Sequence, residues 1–176
     1  MFVLSLTGRA GHGRAAGDPV PALLEALEGL EPPLAPERTA GPDALVLASR
    51  GETALEAMPR ALEVGSTAVG LGIGAVPGPL PGSVRELSGP AVEAARSAVA
   101  AASTTSQVPL AVRAADPRHA DTAADVEAVL RLIGWMIRAR AAASGRPCTS
   151  RVRIPRPRRP SSPSASASPS RPSPAL

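Results

Sequence analysis

Thr67-Ala68-Val69-Gly70-Leu71-Gly72-Ile73-Gly74-Ala75-Val76 is the most regular run in the chain. Aliphatic or branched residues at Val69, Leu71, Ile73 and Ala75 alternate with glycine, which is the two-residue period of a strand. One face of that strand is apolar and the other carries almost no side chains. Gly70-Leu71-Gly72-Ile73-Gly74 has the look of a glycine-rich nucleotide loop. Such a loop joins a strand to a helix, however, whereas this run lies within a strand.

Upstream, Phe2 to Leu6 is a short apolar run that ends at the breaker-rich TGRAGHG, and it predicts a buried strand. Asp18 is placed to cap a first helix with Pro19 at its first position. Leu23, Leu24, Leu27 and Leu30 form its apolar stripe, and Pro32-Pro33 would end it. Segments 34–39 and 44–48 predict a hairpin about the turn Ala40-Gly41-Pro42-Asp43. A second helix over 52–62 would turn Leu55, Met58 and Leu62 inward, with Pro59 kinking or shortening it.

Downstream, Ser88 can cap a helix that starts with Pro90, runs to Ala102 and aligns Val92, Ala95 and Val99. Val108–Val112 predicts a further strand. Thr122, with Asp125 three residues on, predicts the cap of a last helix. Its apolar positions are Val126, Val129, Leu130, Ile133, Met136 and Ile137, and Gly145 ends it. The order is β-α-β-β-α-β followed by α-β-α, so the expected fold is α/β (α+β), a ferredoxin-like core with an extension.

One domain over residues 1–145 is of a size to bury roughly two-thirds of its extended surface. All 19 basic residues are arginine, so neither a P-loop lysine nor a Schiff-base amine is available. Residues 1–145 hold 12 arginines and all 15 acids, a net −3, while residues 146–176 hold seven arginines and no acid, a net +7. Attraction to nucleic acid or anionic lipid must therefore come from the tail. Of its 31 residues, 26 are Pro, Ser, Arg or Ala, which predicts a disordered tail. GC-rich codons read in a shifted frame give the same composition, and both origins stay open.

A lone Cys148 beside only two histidines excludes a disulfide within the chain and argues against a zinc site. The start has neither a basic region nor a long apolar run, and no stretch reaches membrane-spanning length, so a cytoplasmic protein is expected. Gly8-Arg9-Ala10-Gly11-His12-Gly13 follows a strand but lacks dinucleotide spacing and reads as a loop. His12 and His119 lie in turn-like surroundings with no nucleophile placed beside them, as surface histidines do. Trp135, the only tryptophan, reads as a core or rim packing residue.

Three segments carry a resemblance: Arg38-Thr39-Ala40-Gly41-Pro42-Asp43-Ala44, Val69-Gly70-Leu71-Gly72-Ile73-Gly74 and Gly89-Pro90-Ala91-Val92-Glu93-Ala94-Ala95-Arg96. In order, they look like corresponding parts of class III nucleotidyl cyclase domains. More closely, residues 1–143 resemble the SatD family of small bacterial proteins, whose members commonly end in a helix-turn-helix. The resemblance implies two metal-binding aspartates, one ending the first strand and one in the hairpin. Thr7 stands at the first position, and Asp43 is displaced by one at the second. Val92 replaces the expected asparagine, Arg96 is kept, and no helix-turn-helix can be drawn through 146–176.

The reading is a non-enzymatic regulatory or partner-binding protein of the SatD type, without catalytic residues, metal or cofactor. Two alternatives stand beside it. One is a degenerate nucleotide-sensing domain that holds phosphate with Asp43 and Arg96. The other is a nucleic-acid-associated protein acting through Arg151, Arg153, Arg156, Arg158 and Arg159. The partner classes left open are an unidentified protein, a second copy of the chain, or weakly and non-specifically bound nucleic acid, with no membrane.

Overall fold

In the computed structural model, which describes residues 1–8, 17–64 and 67–143, five strands form one mixed sheet. The strands are β1 (Phe2–Gly8), β2 (Glu37–Arg38), β3 (Asp43–Ala48), β4 (Thr67–Ile73) and β5 (Leu110–Ala114), in the spatial order β2-β3-β1-β4-β5. β1 runs antiparallel to both β3 and β4, β2 is antiparallel to β3, and β5 is parallel to β4. Four helices cover the sheet: α1 (Val20–Ala26), α2 (Gly51–Glu63), α3 (Pro90–Ser103) and α4 (Ala120–Ala143). Among the described residues no helix is long and apolar enough to cross a membrane.

Strand alternation divides the core between the two faces. Leu4, Leu6, Val46, Val69, Leu71, Leu110 and Val112 point to one side, where Leu23 and Leu27, Met58 and Leu62, and Leu130 pack on them. Val3, Leu45 and Leu47 point to the other and meet Val84, Val92 and Ala95. The glycines of β4 explain this second face. A Cβ on Gly70 would lie 2.2 Å from the Val99 nitrogen, and one on Gly72 would lie 2.2 Å from the Ala91 oxygen. The α3 backbone thus rests directly on the strand, and the alanines Ala91, Ala95, Ala98 and Ala102 complete a contact between small surfaces.

Several boundaries differ from the sequence expectation, each for a local reason. α1 stops at Ala26, well before Pro32-Pro33, in a turn at Glu28–Gly29. β2 has two residues rather than six, because Pro36 cannot donate to a ladder, and Leu34 packs against the α3-side core instead. Gly89, not Ser88, precedes α3, with φ of 109°, a conformation that favours glycine. β5 begins two residues late, at Leu110.

On α2 the buried face is Ala54, Ala57, Met58, Ala61 and Leu62, so Leu55 points outward, contrary to expectation. Pro59 lies one turn beyond Leu55 on the outer side, where water can take over the Leu55 carbonyl, and α2 runs through it. α4 starts at Ala120, so Thr122 is inside the helix rather than its cap. A short 3-10 turn over Pro117–His119 precedes it, and the Asp116 carboxylate caps that turn by accepting the Arg118 N–H.

Candidate functional site

Sequence reasoning pointed to Asp43 and Arg96. Asp43 opens β3 opposite Thr7, and the Thr7 hydroxyl donates to its Oδ1 at 2.8 Å. The Gly8 N–H donates to the Pro42 carbonyl, which closes the corner where β1 meets the hairpin turn. Arg38 braces the same turn, donating to the Gly41 carbonyl and pairing with Asp18. The Asp18 carboxyl is held below its ordinary range by the Val20 N–H first and by Arg38 second.

Arg96 sits apart from this corner. Its guanidinium pairs with Glu93 one turn earlier on α3. The helix on either side of Arg96 rests on Gly70 and Gly72, whereas Asp43 and Thr7 share a row with Ala68, two to four residues away along the strands. That is roughly 7–13 Å. Each of the two residues therefore has its own partner, and no hydrogen bond or ion pair joins them. Among the described residues no three His, Cys, Asp or Glu side chains gather as a metal site.

The more distinctive feature lies on α4, the 24-residue helix that covers the β5 side of the sheet. Its inner face is set by Ala123, Leu130 and Ile137, with Gly134 against Val108. Two charged side chains lock it to the edge strand. The Glu127 carboxylate accepts the Val112 N–H at 2.8 Å and pairs with Arg113 and Arg131. Arg131 donates in turn to the Leu110 carbonyl at 3.0 Å and to the Thr105 hydroxyl. These contacts satisfy backbone groups that an edge strand would otherwise offer to another chain.

With that inner face occupied, the outer face keeps Val129, Leu132, Trp135 and Met136, which are 59, 60, 59 and 48% exposed. Val129 and Met136 lie outside, contrary to expectation, and of the two places expected for Trp135 its exposure excludes the core. The apolar residues of α4 span more than one face, and a single helical period cannot serve them all. The periodicity was visible in the sequence. Which part of it the sheet would use was not, because that depends on where Glu127 and Arg131 reach β5.

His119 is exposed in the 3-10 turn. His12, Cys148 and the tail arginines Arg151, Arg153, Arg156, Arg158 and Arg159 lie outside the described residues. Comparison with protein-family models, with curated proteins and with solved structures finds no match to this chain.

Proposed function

We propose that this chain is a non-enzymatic regulatory domain of the SatD type, built on a ferredoxin-like core, that acts by binding a protein partner through the outer face of α4. The order β2-β3-β1-β4 with antiparallel neighbours, and with α1 and α2 on one side, supports the ferredoxin-like reading. β5, α3 and α4 are the extension.

The observation that carries the functional reading is the stripe of Val129, Leu132, Trp135 and Met136. Scattered apolar residues on a surface are ordinary, but four large ones along one side of one helix form a patch of the kind that marks interaction sites. Tryptophan and methionine are also among the residues enriched where proteins meet.

Affinity capture from cells that make the full chain tests this reading. A partner should be recovered with the unaltered chain and with Leu55→Asp, which places a charge on an exposed leucine elsewhere, and lost with Leu132→Asp. Identical recovery with both variants would remove α4 as the partner face.

A further inference from the structure

We propose that the partner on the outer face of α4 is a second copy of this chain, with the two helices antiparallel about a two-fold axis near Leu132. This rests on the partner-binding reading above and commits it to one occupant.

Spacing is the first support. Val129, Leu132, Met136 and Ala139 follow one another at intervals of three, four and three residues, all on the exposed side. This is the seam geometry of helices that pack lengthwise against each other. Trp135 flanks the seam, where it would cover Val129 of the other copy.

Charge is the second support, and it fixes the direction. Of the ten described arginines, eight are ion-paired within the chain. The two without an ion pair among the described residues are Arg138 and Arg140, near the C-terminal end of α4, and of these Arg140 flanks the stripe. Asp121 and Asp125, also without an ion pair among the described residues, stand at its N-terminal end. A helix face that is acidic at one end and basic at the other complements itself only when the copies run in opposite directions. With the axis at Leu132, Arg140 of one copy reaches Asp125 of the other, whereas a parallel pair would set acid on acid. One patch then serves both sides, as two-fold pairing requires.

The experiment uses the full chain. Light scattering after size exclusion should give twice the chain mass at about 50 µM, with the monomer returning on dilution below about 1 µM. Leu132→Asp should be monomeric throughout with an unchanged circular dichroism spectrum, and Leu55→Asp should still dimerise. Arg140→Asp should weaken dimerisation by about tenfold, because the two-fold axis repeats the repulsion, and Asp125→Arg added to it should restore most of the loss. In a Cys148→Ser background, Leu132→Cys should form a disulfide dimer on mild oxidation. Ala139→Cys should not, since antiparallel pairing holds the two copies of position 139 about 21 Å apart along the axis.

A monomer at 50 µM, a dimer indifferent to Leu132→Asp, or equal cross-linking at positions 132 and 139 would overturn the proposal. A monomeric chain that still captures another protein in a Leu132-dependent way would overturn the second copy alone. Loss of both would remove the partner-binding reading with it.

Discussion

Replacing Gly72 with alanine tests the packing that positions everything else. The new Cβ would lie 2.2 Å from the Ala91 oxygen and 2.4 Å from the Ala95 nitrogen, both backbone atoms of α3. Ordinary van der Waals contact begins near 3.4 Å. No side chain can swing aside to make room, so the helix must move outward by about 1 Å. A gap of that size forfeits a quarter to a half of each dispersion contact it opens, and Val92, Ala95 and Val99 all lose contacts. Overpacking costs about 1–3 kcal/mol in general, and a clash against backbone belongs at the top of that range. About 3 kcal/mol corresponds to a melting point lower by about 10 °C in a domain of this size. Thermal unfolding followed by far-ultraviolet circular dichroism reads the shift. Gly82→Ala is the control, because nothing lies within 4 Å of its Cβ. If Gly72→Ala melted within about 2 °C of the unaltered chain, the claim that α3 rests its backbone on β4 would be wrong.

Other substitutions probe other layers. Glu127→Ala strips the Val112 N–H, Arg113 and Arg131 of a shared acceptor and should cost about 1–3 kcal/mol in urea unfolding. Thr67 is fully buried and its hydroxyl has no hydrogen-bond partner among the described residues, so Thr67→Val should stabilise by about 1 kcal/mol, and a loss of stability would show that the hydroxyl is used. The depressed Asp18 carboxyl gives a pH dependence of definite sign. Its contribution is complete above the unfolded value of 3.8 and is lost as pH falls through the lower folded value. Asp18→Asn keeps an acceptor for Val20 but not the charge, so its melting point should fall short of the parent's at pH 6, and the difference should shrink as pH falls below 3.8.

Much of the framework was legible in the sequence because it rests on local periodicity. The alternation around Val69, Leu71 and Ile73, the hairpin turn at Ala40–Asp43 and the leucines of α1 each declare an element without reference to the rest of the chain. Boundaries were less legible where proline decided them, as at Pro36, or where a glycine conformation did, as at Gly89. The orientation of α2 departs from its leucine pattern because alanines form most of its inner face and Leu55 lies on its outer one. Alanine burial leaves a weak sequence signal beside a leucine, although close helix packing selects for it. The α4 surface was hidden for a different reason. Most of its apolar residues stand out in the sequence, Leu132 excepted, but only the placement of Glu127 and Arg131 on β5 shows which of them the sheet leaves uncovered. Asp43 was found as a residue, yet its bond to Thr7 and its separation from Arg96 depend on strand register, which no local pattern reports.

Site-specific photocross-linking reports whether the outer face of α4 meets a second copy of the chain. A photoreactive amino acid is placed at Leu132 on the outer face of α4, or at Leu55 on α2 as a control of similar exposure, and the full chain is irradiated inside living cells. A discrete adduct of twice the chain's mass is expected from position 132, and none from position 55. No adduct at 132, or the same adducts from both positions, would rule out pairing through this face.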